Sequence, residues 1–143
     1  AYHQTASSEN GEGAYLAILK ALQKANLQPD EIDYINVHGT ATINNDLSES
    51  NALLRVFSNV PILSATKSYT GHTLAAAGAI EAVYSILSLQ KATIFPTLHF
   101  TTKMDNSPLI PNTEVVHKNI NHVLSNSFGF GGNCSSLIFS KCV

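Results

Sequence analysis

Thr73-Leu74-Ala75-Ala76-Ala77-Gly78-Ala79-Ile80-Glu81-Ala82-Val83-Tyr84-Ser85-Ile86-Leu87-Ser88-Leu89-Gln90 is the stretch on which the fold turns. It is apolar on nearly every side, rich in Ala and Gly, and holds a single charge, Glu81. At 1.5 Å per residue it makes a helix of about 27 Å, close to membrane-spanning length. A carboxylate at its middle and the small residues Ala75 to Ala79 suit a different setting, a helix sandwiched inside a protein core.

The flanking segments supply the layers around that helix. Upstream, Ile32 to Val37 alternates apolar and polar residues with β-branched enrichment, which predicts a strand ending at His38-Gly39-Thr40. Pro61 to Ser64 reads as a short buried strand. Asn10 to Asn26 carries Tyr15, Leu16, Ile18, Leu19 and Leu22 at helical spacing, with Pro29 soon after as a stop signal. Asn45 to Phe57 predicts a second helix, with Asn44 or Asn45 as N-cap and Asp46 and Glu49 near the positive end of its dipole. Downstream, Ala92 to Phe95 is a candidate strand and Thr101 to Asn112 a loop containing Pro108 and Pro111. His122 to Ser127 and Ser135 to Ser140 read as antiparallel strands joined across Phe128-Gly129-Phe130-Gly131-Gly132. Alternating strands and helices with an antiparallel pair at the end predict an α/β domain, one mixed sheet of five strands packed by helices.

Composition narrows the function classes. The 143 residues are 44% hydrophobic and only 13% charged, against about 25% charged in ordinary domains. Such a chain buries surface, and its few surface charges leave room for faces that meet a partner. Lys and Arg number 8 against 10 Asp and Glu, and no run of either sign occurs. The sequence therefore lacks the basic stripe that nucleic acid or an anionic membrane would select, and lacks the signature of disorder. It starts at Ala1 with no charged n-region or apolar h-region, so residues 1–143 read as one domain cut from a longer chain. Cys134 and Cys142 stand at the ends of one predicted strand, about 26 Å apart, too far for a disulfide. Free thiols point to a reducing cytoplasm.

Few residues are placed to do chemistry. His38 follows the carboxyl end of a strand and His72 opens the apolar helix, positions that host ligands in α/β sheets. A neutral imidazole at a helix N-terminus can donate a ring N–H to a developing oxyanion; either histidine can equally be a structural one satisfied by backbone. Lys67 and Glu81 lie in the least charged part of the chain, where an unpaired ion is costly, so they are expected to pair. That pair either fixes the helix or sets the charge around His72. The Phe128 to Gly132 run does not fit a dinucleotide-binding glycine pattern, because Cys134 takes the third Gly position and a strand follows. It is either a turn with core aromatics or a gate over an apolar tunnel. His117 and His122 have no carboxylate or Cys beside them in a ligand pattern, so no metal site is expected, and a cysteine inside a strand lacks the dipole or base that would activate it.

Taken together, Val37-His38-Gly39-Thr40-Ala41-Thr42, Ser64-Ala65-Thr66-Lys67-Ser68-Tyr69-Thr70-Gly71-His72 and Asn126-Ser127-Phe128-Gly129-Phe130-Gly131-Gly132 resemble, in order, three motifs of the β-ketoacyl-[acyl-carrier-protein] synthases of fatty-acid and polyketide synthesis. The resemblance runs through essentially the whole chain. It implies the C-terminal half of a thiolase-like fold, a layered αβαβα architecture of two similar halves that dimerises. His38 and His72 match the two catalytic histidines that hold the malonyl thioester carbonyl during decarboxylation. Lys67 and Glu81 match the pair that supports His72. Thr40 and Thr42 match the threonines that contact the phosphopantetheine arm, and Phe128 and Phe130 match the phenylalanine gate beside the acyl pocket.

The implied reaction is a decarboxylative Claisen condensation, with acyl carrier protein and the N-terminal half of the same enzyme as partners and no metal or organic cofactor. Two departures stand out. The family's nucleophilic cysteine belongs to the N-terminal half, so this chain alone is expected neither to acylate nor to condense. Where the family continues Gly-Gly-Thr-Asn, this chain has Gly131-Gly132-Asn133-Cys134, its amide displaced by one position. A non-enzymatic alternative is half of a chain-length-factor-like subunit; retention of His38, His72 and Lys67 argues against it. The Lys-to-Gly-His and Gly-Phe-Gly-Gly patterns argue against a thiolase.

Overall fold

The computed structural model describes residues 3–142; Ala1 and Tyr2 of the N-terminal run lie outside the described residues. Helix α1, Glu12–Ala25, buries Ala14, Ile18 and Leu22, a four-residue recurrence that makes one apolar stripe. It ends at Asn26, whose left-handed backbone returns its N–H to the Leu22 and Gln23 carbonyls.

Strand β1, Tyr34–Asn36, is shorter than Ile32 to Val37 and is buried at every position. The sequence alternation marks two different packed faces instead of a wet one, because β1 runs parallel between two neighbours. Ile35 and Val37 face α1 and α2, packing with Ile18, Leu22, Leu53 and Phe57. Tyr34 packs with Leu89 on the opposite face, where the Asn36 side chain donates to the Glu81 carbonyl. Each fully buried aliphatic side chain here contributes about 1.5–3 kcal/mol.

In helix α2, Ile43–Val56, the N-cap position falls to Thr42, whose side chain makes no capping hydrogen bond, and not to Asn44 or Asn45. Asn44 instead exchanges two hydrogen bonds with the backbone of Ser7, which pulls it away from any capping role. Strand β2, Ile62–Ser64, leads into a single helical turn, α3, Lys67–Thr70. The apolar segment then begins with a 3-10 turn, Leu74–Ala76, before α4, Ala77–Lys91. Leu74 has φ 52°, a left-handed conformation that delays the regular helix.

Helix α4 departs from the expected core sandwich. Its inward stripe includes Glu81, Ser85 and Ser88, while Val83 and Ile86 are 56% and 40% exposed. Among the described residues the helix is covered on one face only, and Glu81, Ser85 and Ser88 lie on the covered side.

Strands β5, His122–Gly129, and β6, Asn133–Ser140, form the expected antiparallel pair, joined by a 3-10 turn at Phe130–Gly132. The main sheet runs β2-β1-β5-β6, parallel apart from β6. The α/β class with a mixed sheet stands, but among the described residues the expected five-stranded sheet has four strands. Of the Ala92 to Phe95 segment only Thr93–Ile94, β3, is extended, and it pairs antiparallel with β4, Val116–His117, in a separate ribbon. Ala92 at φ 50° turns the chain out of α4, leaving two residues to pair. On the outer edge of β2, Asn112 N–H donates to the Leu63 carbonyl at 2.7 Å. Cys142 lies beyond the end of β6, and both thiols are free.

Candidate active site

The carboxyl end of β1 delivers His38 into the interior. His38 is buried, and its ring meets that of His72 edge-on, with centroids 5.5 Å apart and planes at 86°. The Phe128 ring lies 5.5 Å from His38 on another side. These contacts join the ends of β1 and β5 and the segment before α4. Gly39, at φ 45°, makes the turn possible: a Cβ there would meet that of Ala65 at 2.7 Å, closer than two side chains can approach.

Lys67 and Glu81 form the expected ion pair, both buried. Among the described residues, the histidine that Lys67 contacts is His38 and not His72, beside which the sequence had placed the pair. Lys67 Nζ lies 3.1 Å from His38 Nδ1 and 2.5 Å from its carbonyl oxygen. An ammonium has only donors, so Nδ1 accepts and the proton of the neutral imidazole sits on Nε2. Burial, then Lys67, then His72 hold the His38 pKa down at about 3, so the ring is neutral at physiological pH. Burial outweighs Lys67 and lifts the Glu81 carboxyl to about 6.

His72 does not open α4, since the 3-10 turn intervenes, and the expected helix-dipole effect loses its geometry. Its Nδ1 instead accepts the Leu74 N–H at 3.1 Å, which again assigns the neutral ring's proton to Nε2. His72 is exposed at a cleft of about 600 Å³ that Thr40, Ile43, Lys67 and Phe100 also line. The Thr40 and Thr42 hydroxyls are hydrogen-bonded to each other at 2.9 Å, across Ala41 at φ 59°. A left-handed alanine between two paired threonines is a strained turn at the mouth of the cleft.

The two phenylalanines part company. Phe128 is buried against Ala14 and Ala52, whereas Phe130 is 74% exposed on the 3-10 turn. Among the described residues, of the two rings only that of Phe128 lies against a histidine. The displaced amide, Asn133, donates to the Phe130 carbonyl at 3.0 Å and closes that turn on itself. Burial raises the Cys134 pKa, which keeps it a poor nucleophile, and its Sγ packs against Gly13. His117 and His122 go to separate strands, hydrogen-bonded to Thr93 and Ser140.

Sequence reading missed Glu49. It is buried on α2, one turn before Leu53, and its carboxylate accepts from the N–H groups of His38 and Gly39 and from Asn126 Nδ2 at 2.9, 3.0 and 3.0 Å. A carboxylate within the inward stripe of an amphipathic helix was the available signal; the helix-dipole argument explained it away.

The family profile for the C-terminal domain of β-ketoacyl synthases matches residues 1–101. The chain belongs to the β-ketoacyl synthases. The Staphylococcus aureus (strain COL) 3-oxoacyl-[acyl-carrier-protein] synthase 2 is 40% identical over 99% of this chain and 35% of its own length. A β-ketoacyl synthase from Burkholderia phymatum superposes with a TM-score of 0.92 at 36% identity, covering 99% of this chain and 35% of its own. A ketosynthase from Xenorhabdus doucetiae, solved with its chain length factor, gives 0.87 at 39% identity, covering 99% and 36%. The synthase domain described here thus spans about a third of the length of those relatives. The thiolase-like fold holds throughout.

Proposed function

We propose that this domain supplies the decarboxylating half of a β-ketoacyl-[acyl-carrier-protein] synthase. The observation that carries the reading is the histidine pair: two rings edge to edge-face at 5.5 Å, each with Nδ1 engaged by a fixed donor, so each offers a neutral Nε2–H. Two neutral donors aimed at one thioester oxygen stabilise the enolate left when malonyl loses carbon dioxide. The enolate carbon then attacks an acyl thioester held on a cysteine outside this domain, forming the new C–C bond and releasing the cysteine thiolate. The chemistry calls for no metal or organic cofactor.

Thr40, which lines the cleft, and Thr42, hydrogen-bonded to it, receive a phosphopantetheine arm, with acyl carrier protein as the partner. Residues 1–143 act as one domain beside an N-terminal half that covers the apolar face of α4, in a homodimeric, cytoplasmic enzyme. Among the described residues no helix is long and apolar enough to cross a membrane.

The test is carbon dioxide release and β-ketoacyl product from malonyl-carrier protein with the full-length protein. Turnover supports the synthase reading. A folded, dimeric but inert protein would move the assignment to a chain-length-factor-like subunit, the reading that the complex of the Xenorhabdus relative keeps in view. The domain alone is expected to form no acyl-enzyme.

A further inference from the structure

Two segments wall the cleft at which His72 is exposed. The exit of β1 and the start of α2 bring Thr40, Ile43 and Asp46 to it, and residues 97–104 line it from the loop that follows β3. That loop is pinned at its root. Thr97 Oγ1 accepts the Ala65 N–H at 2.9 Å, Ser68 Oγ on α3 accepts the Leu98 N–H at 2.9 Å, and the Thr97 N–H donates to the Asn112 carbonyl at 2.7 Å. Directly after these bonds comes His99, at φ 61°. A left-handed backbone at a residue other than glycine persists where its surroundings over-determine it, and such strain gathers at ligand clamps. The His99 side chain is exposed at the cleft and makes no hydrogen bond among the described residues.

The charges of the cleft are unevenly engaged. Its lysines are Lys67 and Lys103. Lys67 is held by Glu81 and His38, whereas Lys103 is exposed and has no carboxylate at ion-pairing distance among the described residues. The carboxylates that line the cleft face inward: Asp46 accepts from Asn45 Nδ2 at 3.0 Å and from the Ala41 N–H, and Glu49 accepts from His38, Gly39 and Asn126. The free charge of the cleft is therefore positive, and it sits four residues from an imidazole that offers an N–H in either protonation state.

We propose that His99 and Lys103 bind the phosphodiester of the carrier protein's phosphopantetheine arm. This rests on the function proposed above, which puts the thioester end of that arm at His38 and His72. The arm carries its one charge at the other end, so a cleft that receives the arm meets a single anionic group away from the histidine pair. A lysine recognises phosphate as a point charge, and an imidazole N–H adds a directed donor. Both residues act on binding and stand apart from the reacting atoms.

The experiment uses the full-length protein and three probes, phosphopantetheine, pantetheine and inorganic phosphate, with binding followed by NMR titration. The wild type is expected to bind phosphopantetheine about tenfold more tightly than pantetheine, as one charge-assisted contact would give. Lys103→Ala with His99→Gln should abolish that preference and leave pantetheine binding within about twofold. Lys24→Ala, on the last turn of α1 and away from the cleft lining, should keep the preference. A wild type that does not distinguish the two probes, a double variant that still does, or a Lys24→Ala that loses as much would each overturn the proposal. Inorganic phosphate binding as tightly as phosphopantetheine would mean a general anion site and would overturn the assignment to the arm.

Turnover separates this inference from the functional one. With malonyl-carrier protein, the double variant should raise KM about tenfold with kcat within about twofold. A wild type that releases no carbon dioxide yet prefers phosphopantetheine, with the preference lost in the double variant, removes the functional reading and keeps the anion site. Full turnover with no preference between the two probes keeps the functional reading and removes the anion site.

Discussion

Lys67 grips His38 at two points, its Nζ lying 3.1 Å from the ring Nδ1 and 2.5 Å from the backbone carbonyl. The same ammonium is ion-paired to Glu81, whose Oε2 has no partner among the described residues. Lys67→Ala therefore leaves a buried carboxylate without its cation. The expected loss is about 3–5 kcal/mol in chemical denaturation of the full-length protein. Lys67→Met with Glu81→Leu should recover most of it, since removing both charges leaves neither stranded. A single variant as stable as wild type would contradict the pairing.

The histidine pair predicts a separation of half-reactions. Removing one oxyanion donor costs about 10²–10³ in rate, so His38→Ala and His72→Ala should each slow carbon dioxide release by that factor. Acylation, whose nucleophile lies outside this domain, should be largely kept, as followed by mass spectrometry of the intact protein. Equal loss of both steps would mean that the rings serve the fold.

Acid titration should report on His38. Its folded pKa, about 3, lies below the ordinary 6.5. As pH falls below about 6.5 the unfolded chain takes up a proton that the folded chain refuses, so this group's contribution to stability declines until the folded ring titrates. The difference in unfolding free energy between wild type and His38→Gln should shift against the wild type by about 1.4 kcal/mol per pH unit over that window. Parallel curves for the two proteins would place His38 in a wetter setting than the one seen.

Phe128 and Phe130 should separate stability from selectivity. Phe128→Ala empties a site packed against Ala14, Ala52 and His38, with an expected cost of about 3–5 kcal/mol. Phe130→Ala, at an exposed ring, should change stability by less than about 0.5 kcal/mol. In the full-length enzyme it should alter the chain-length profile of the products. An unchanged profile would remove Phe130 from any gating role.

The sequence showed the elements whose signal is local. Helix α1, the β5–β6 pair and the positions of His38 and Lys67 follow from spacing and punctuation. What it hid was set by tertiary contact. Nothing in the string distinguishes Lys67 serving His72, five residues on, from Lys67 serving His38, twenty-nine residues back, because only the parallel pairing of β1 and β2 brings the latter near. Asn44 resembled a cap until a distant backbone, Ser7, claimed its side chain. Glu49 resembled a dipole charge because its three donors come from the exit of β1 and from β5. The α4 segment was legible as apolar, but which of its faces would be covered depends on what packs beside it.

β1 faces two layers, Ile35 and Val37 towards α1 and α2, Tyr34 and Asn36 towards α4. His38 continues the even-numbered series and lands on the side of Lys67 and Glu81. A single inserted or deleted residue in this short strand would reverse that parity and turn the imidazole towards the wrong layer. A loop such as Thr101 to Asn112 has no such alternation to lose, so the length of β1 constrains the site in a way the length of that loop does not.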